Sequence, residues 1–349
     1  MKAWESNIRK VEPYVPGEQP KVQDVIKLNT NENPYGPSEN VRKAMEAIDI
    51  DRCRLYPDPD VTKLVKSIAD YYGMDNNQVF VGVGSDDVLS MCFLTFFNGK
   101  KPVLFPDITY SFYSVWADLY RIPYEKQKLD DNMKIVPEDY YKENGGVIFP
   151  NPNAPTGLLM DLDSVRDIIE HNKDVVVIVD EAYIDFGGVS AKDLVNEYDN
   201  VLVVQTFSKS RSMAGIGYAF GSKELIKALN DVKFSFNSYT MNMTSIDMGV
   251  ASINDKKYFE ECVERITATR ERTKEELTKL GFTFPDSKAN FIFATHKSVP
   301  AKEIFEKLKD LNIFVRYFAQ PGIDNYLRIT IGTDEQMDKL ISALSEIVG

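Results

Sequence analysis

The sequence predicts an α/β protein: a large domain built on a mostly parallel, seven-stranded-type sheet covered by helices, plus a smaller α+β domain. Three observations carry this. The runs Val147-Ile148-Phe149, 175–179 and Val201-Leu202-Val203-Val204 are continuously apolar and largely β-branched, as strands buried on both faces are. Such runs alternate with helix-period stretches between about residues 79 and 235, the pattern of a parallel sheet under helices. Near residue 235 the texture changes to a long helical region followed by a second group of short strands.

Residues 1–40 are rich in Pro, Asn and Glu with little periodicity, and read as an arm rather than a core element. Residues 41–235 form the expected large domain. It opens with a helix from Pro37 through Val41, Ala44, Met45 and Ile48, with Ser38 near its start. The turn Arg54-Leu55-Tyr56-Pro57-Asp58-Pro59 leads into a helix around Leu64, Ile68 and Tyr71-Tyr72. Strand Val79-Phe80-Val81, a glycine turn, a helix from Asp86 to Phe97, strand Val103-Leu104-Phe105 and a helix from Tyr110 to Tyr120 follow. Strand Gly146–Phe149, a helix around Val165–Ile169, the two strands named above, Tyr218-Ala219-Phe220 and a further helix complete it. Residues 236–349 form the expected small domain. Helices over 242–280 break near Asn254-Asp255, and strands at Asn290–Phe293, Ile313–Val315 and Tyr326–Ile331 alternate with helices near 300–309 and at the end.

Length and composition bound the function. A chain of 349 residues can bury a large core, and 43% hydrophobic with 27% charged residues is ordinary globular composition. A formal charge of -12 argues against a nucleic-acid partner, so any anionic ligand must be met by local donors. Cys53, Cys92 and Cys262 are odd in number and widely spaced, as reduced thiols are. His171 and His296 have no metal-ligand spacing around them. No apolar run reaches the roughly 20 residues that span a bilayer, and Met1–Ser6 carries no apolar signal core, so a cytoplasmic protein without membrane contact is expected.

The chemistry centres on Thr206-Phe207-Ser208-Lys209. Lys209 follows a buried-type strand, at the sheet edge where open α/β sheets bind ligands. An amine there can be desolvated and shed its proton more readily than at a surface, as Schiff-base chemistry requires. Taken alone, Lys209 is one solvated lysine among many. Val179-Asp180-Glu181-Ala182-Tyr183 closes a second such strand. Its Asp-Glu pair reads equally as a helix cap, a metal-binding pair, or a carboxylate placed to pair with a protonated pyridine nitrogen. Gly82-Val83-Gly84-Ser85-Asp86-Asp87 puts glycines between a strand and a helix, where free N–H groups attract phosphate. Together these supply the lysine, the acid and the phosphate donors that pyridoxal phosphate needs.

The set resembles the fold-type I pyridoxal-phosphate aminotransferases, and Leu28-Asn29-Thr30-Asn31-Glu32-Asn33-Pro34-Tyr35-Gly36-Pro37-Ser38 is similar to the histidinol-phosphate aminotransferase branch. Matching motifs run from Tyr14 to Arg328. The resemblance implies that Lys209 is the Schiff-base lysine, that Asp180 pairs with the ring nitrogen and that Tyr183 bonds the ring oxygen. Ser85, Asp86, Asp87, Thr206 and Ser208 would surround the coenzyme phosphate, Tyr110 would stack on the ring, and Tyr56 would reach the partner's phosphate in a homodimer. The arm would pack on the small domain and the partner, with Tyr14 as a lid and Asn31 beside the substrate. Arg328 would grip a substrate anion and Arg316 would be a second anion contact.

Two departures stand out. The family loop N-P-N-N-P-T-G appears as Asn151-Pro152-Asn153-Ala154-Pro155-Thr156-Gly157, leaving Asn153 to substitute for the missing asparagine or Tyr183 to act alone. Relatives commonly read S-K-x-x-x-x-A-G-x-R-x-G, whereas this chain reads Ser208-Lys209-Ser210-Arg211-Ser212-Met213-Ala214-Gly215-Ile216-Gly217: two residues are missing, and with them the phosphate-binding arginine. Arg211 is nearby but out of register.

The expected activity is amino transfer between L-histidinol phosphate and 2-oxoglutarate, giving imidazole acetol phosphate and L-glutamate in histidine biosynthesis. The alternatives are a threonine-phosphate decarboxylase, an aromatic amino-acid aminotransferase, or a non-catalytic protein that binds the coenzyme.

Overall fold

The computed structural model describes residues 2–21 and 24–349. Its strands in chain order are β1 (Ile26–Leu28), β2 (Val79–Gly82), β3 (Val103–Pro106), β4 (Tyr124–Gln127), β5 (Gly146–Pro150), β6 (Val177–Asp180), β7 (Val201–Thr206), β8 (Gly217–Gly221), β9 (Phe282–Thr283), β10 (Phe291–His296), β11 (Ile313–Tyr317) and β12 (Leu327–Thr330). They make a seven-stranded sheet in the order β2-β8-β7-β6-β5-β3-β4 and a five-stranded sheet in the order β1-β11-β12-β10-β9.

The larger sheet is the expected α/β sheet. β4, β3, β5, β6 and β7 run parallel, while β8 is antiparallel to both β7 and β2. Its central strands are continuously apolar because helices cover both faces. Val147, Phe149, Val177, Val179, Val201 and Val203 enter one core, and Ile148, Ile178, Leu202 and Val204 enter the other. Because β5, β6 and β7 are parallel, Pro150, Asp180 and Thr206 all emerge at one sheet edge.

The helices fall where the periodicity places them. Ser38 caps Glu39–Glu46 by accepting from the Val41 N–H, and the long helical region splits at Asp255 into Met243–Asn254 and Lys256–Lys279. The break is local: the Asp255 N–H bonds the Ser252 carbonyl, so the chain turns before the next helix begins.

The arm needs one correction. Residues 26–28 are not coreless: β1 pairs parallel with β11, and Leu28 is 1% exposed in the smaller sheet's core. The rest of the arm bridges the two sheets' layers. Tyr14 stacks on Phe112 with ring centroids 4.2 Å apart, Arg9 donates to the Leu119 carbonyl, and Glu18 pairs with Lys309 at 2.8 Å. On the other side Arg270, buried in the Lys256–Lys279 helix, donates to the Phe186 and Ala289 carbonyls and ties the large-sheet loops to the smaller sheet. No helix among the described residues is long and apolar enough to cross a membrane.

Candidate active site

At the carboxyl edge of the large sheet lies a cavity of about 240 Å³. Lys209, Asp180, Tyr183, Tyr110, Ser85, Asp86 and Ser208 all line it, although they come from four separate stretches of chain. Parallel strands make this convergence: each strand end delivers its following residues to the same place.

Lys209 sits in the single turn Phe207–Ser210 directly after β7, where Thr206 accepts the Ser208 N–H and starts the turn. Its Nζ lies 3.3 Å from the Thr30 carbonyl and 5.9 Å from the Tyr183 ring centroid. Asp180 is the last residue of β6 and is buried. Burial pushes its carboxyl up to about 6, against the opposing pull of hydrogen bonds from Tyr113 Oη at 2.7 Å and the Ala182 N–H. Tyr110 forms one wall, with its hydroxyl donating to Asp86 at 2.8 Å.

Other expected residues lie a step away. Thr206 is buried under the Lys209 turn, donating to the Ile216 carbonyl at 3.1 Å, with Ser208 Oγ 3.0 Å from its hydroxyl oxygen. Asp87 turns back to accept the Val83 N–H at 2.9 Å. Asn31 donates to Tyr183 Oη at 2.9 Å and so holds the tyrosine from behind. Asn153 does not line the cavity. Its amide nitrogen donates to the Ile108 carbonyl at 3.0 Å and its oxygen accepts from Thr109, which holds the loop together and leaves Ala154 as the lining residue.

Arg316 and Arg328 face each other directly across β11 and β12, a placement that puts both side chains on one face. Neither has a carboxylate partner among the described residues' ion pairs. Arg328 donates to the Asn29 carbonyl at 3.0 Å, while its buried Nε has no partner. Desolvation holds its guanidinium below the ordinary value, and the facing Arg316 adds to that. Phe291 connects this pair to the cavity, packing edge-on against Tyr183 at 5.1 Å and beneath Arg328 at 5.5 Å. Arg316 also lines a neighbouring cavity of about 350 Å³ that Tyr14 covers from the arm. Tyr56 lies elsewhere: it is 82% exposed and stacks on Tyr239 at 4.6 Å.

Arg211 turns away from the cavity. Its guanidinium sits 4.0 Å from the Phe259 ring centroid and 4.8 Å from that of Tyr71, donating to the Ser252 carbonyl. Sequence reasoning missed Tyr113, which inside a helix looks like any core aromatic. It also missed the buried Glu181, which accepts from Ser190, the Ala191 N–H and Gln205, and which burial pushes up to about 7. Gln205 continues to Tyr218 and Tyr72, a polar chain beneath the lysine strand.

The comparisons agree with this architecture. Residues 23–344 match the family model described as aminotransferase class I and II. The histidinol-phosphate aminotransferase of Clostridium beijerinckii is 52% identical over 99% of this chain and 98% of its own, and that of Brachyspira hyodysenteriae is 50% identical over 100% and 99%. In fold the chain is similar to the Sinorhizobium meliloti histidinol-phosphate aminotransferase solved with pyridoxal-5'-phosphate, at TM-score 0.85 and 21% identity over 93% of this chain and 90% of that one. A large parallel sheet with an edge cavity around a lysine, a smaller arginine-bearing sheet, and half-identical relatives along the full length lead to one assignment: the chain belongs to the class I and II aminotransferase family, on its histidinol-phosphate aminotransferase branch.

Proposed function

We propose that the chain transfers the amino group of L-histidinol phosphate to 2-oxoglutarate, giving imidazole acetol phosphate and L-glutamate in histidine biosynthesis, with pyridoxal phosphate as coenzyme. The observation that carries the chemistry is one cavity holding the Lys209 amine, the buried Asp180 carboxylate and the Tyr110 wall. These fit the coenzyme's demands for an amine, an acid and an aromatic face. The cup floor also fits, since a Cβ added to Gly84 would meet only Gly215 Cα, at 3.9 Å, and no side chain fills the space.

When bound, pyridoxal phosphate supplies an aldehyde for amines and a ring that accepts electrons. Lys209 Nζ would hold that aldehyde, and its free amine would be the base that moves the proton at the substrate carbon. Asp180 would pair as a carboxylate with a protonated ring nitrogen, which would offset the burial that raises its carboxyl above the ordinary value. Tyr183, held by Asn31, would offer its hydroxyl to the ring oxygen, and Asn153 would contribute by holding its loop. Ser85, Ser208 and the first N–H groups of the Gly84–Phe96 helix receive the phosphate, with Thr206, Asp86 and Asp87 bracing them. Arg328 and Arg316 take the substrate anions: a phosphate monoester in one half-reaction and a dicarboxylate in the other. Tyr14 closes over them.

The working unit in this reading is a cytoplasmic homodimer. Tyr56 and Tyr239 stack on the surface with Ile50, Leu55 and Phe236 exposed on the same stretches, an apolar face suited to a second copy. Residues 1–40 act as arm, 41–235 carry the coenzyme and 236–349 carry the arginine pair. The test is an assay with L-histidinol phosphate and 2-oxoglutarate. Glutamate should form without carbon dioxide, and faster than with phenylalanine as donor. Carbon dioxide release from threonine phosphate, or a preference for phenylalanine, would move the chain to another branch.

A further inference from the structure

The cavity that receives the coenzyme carries little positive charge. Among the described residues Lys209 is the one cation lining it, against the carboxylates of Asp86 and Asp180. The loop from Lys209 back to β8 explains why. The Ile216 carbonyl is pinned under the lysine turn by the Phe207 N–H at 3.0 Å and the Thr206 hydroxyl at 3.1 Å. Gly217 then follows at once, packed so tightly on the start of the Gly84–Phe96 helix that an added Cβ would lie 2.2 Å from the Gly84 carbonyl carbon. Between these clamps only Gly215 faces the cavity, because Ile216 is 0% exposed in the core and Arg211 is packed against Phe259 and Tyr71. A loop this short has no position from which a side-chain cation could reach the phosphate.

We infer that this chain holds its coenzyme's phosphate with neutral donors alone, and therefore binds the coenzyme weakly and with little dependence on ionic strength. The inference rests on the coenzyme reading given above. The donors are the hydroxyls of Ser85 and Ser208 and the unpaired N–H groups that open the Gly84–Phe96 helix. Charge-assisted contacts to phosphate are roughly twice as strong as neutral ones and are the part that salt weakens. Without them, the covalent link to Lys209 carries most of the retention.

The test is a titration of coenzyme-depleted full-length protein with pyridoxal phosphate, following the visible absorbance of the lysine-bound coenzyme at low salt and at ten times that salt. The dissociation constant should differ by less than about threefold between the two, since the phosphate's own donors carry no charge to be screened. Val83 lines the cavity and is exposed at its rim, so Val83→Arg introduces a guanidinium without disturbing the core. It should tighten binding about tenfold or more and make it salt-dependent, while Val83→Gln should do neither. Tight binding by the unaltered chain that weakens tenfold in salt, or no gain from Val83→Arg, overturns the inference while leaving Lys209 as the attachment point. No visible band at any coenzyme concentration overturns the coenzyme reading itself and the inference with it.

Discussion

Two regions of this molecule are built for anions, and they are built in opposite ways. The cup at the carboxyl edge of the large sheet offers hydroxyls and helix-start N–H groups, with Lys209 outnumbered by Asp86 and Asp180. The face of the smaller sheet offers Arg316 directly opposite Arg328, two like charges that repel when nothing lies between them. In the proposed reading the fixed guanidinium charge stands where a substrate must be captured on every turnover and is missing where the coenzyme would be held by its link to Lys209. Repulsion between the paired arginines is a standing cost that a bound anion relieves, so that region should respond to substrate far more than the cup responds to coenzyme.

Substitutions on each side should separate these roles. Lys209→Ala should lower transfer by ~10⁴-fold and abolish the visible band of the bound coenzyme, with thermal stability nearly unchanged. Retention of the band would remove Lys209 from the centre. Arg328→Leu should lower kcat/KM for both histidinol phosphate and 2-oxoglutarate by about 10²-fold, the loss of a charge-assisted contact, while the coenzyme's dissociation constant stays within twofold. A matching loss of coenzyme affinity would erase the distinction between the two regions.

Asp180→Asn should have effects of opposite sign on activity and on stability. The carboxyl's value in the folded coenzyme-free chain is about 6, raised from 3.8 by burial. The folded state therefore binds more protons than the unfolded state between those values, and stability falls as pH rises through that window. Replacing the carboxylate removes this burial cost, on the order of 3 kcal/mol at neutral pH before the altered Tyr113 bond is counted. Denaturant unfolding at pH 5 and pH 8 should show the coenzyme-free variant gaining on the unaltered chain at pH 8 while transfer falls. Arg211→Met should have the smallest effect on the cup. Coenzyme affinity should move less than twofold, with a loss of roughly 1–3 kcal/mol in stability from losing the guanidinium's packing on Phe259 and Tyr71 and its bond to the Ser252 carbonyl. Tenfold weaker coenzyme binding would place Arg211 in the cup after all.

The sequence made the first region far more legible than its details. Strands β5, β6 and β7 are buried on both faces, so their apolar runs are continuous, and Asp180 and Lys209 stand just where those runs stop. Elements whose partners are remote were not legible. β1 is three residues in a Pro- and Asn-rich arm and becomes a strand only by pairing with residues 313–315. β4 is an edge strand with Glu125 and Lys126 exposed, so no apolar run announces it. The direction of Asn153 depends on Ile108 and Thr109, and that of Arg211 on helices remote along the chain, at Phe259 and at Tyr71. Local spacing places a residue near a site, but long-range contacts decide where its side chain points.

The most direct measurement is a pair of half-reactions followed by absorbance. Protein loaded with pyridoxal phosphate is mixed with L-histidinol phosphate, and 2-oxoglutarate is added afterwards. The band of the lysine-bound coenzyme should disappear with the first addition and return with the second. A band that forms on loading but is unmoved by histidinol phosphate would contradict the substrate assignment and leave the arginine pair without its proposed ligand.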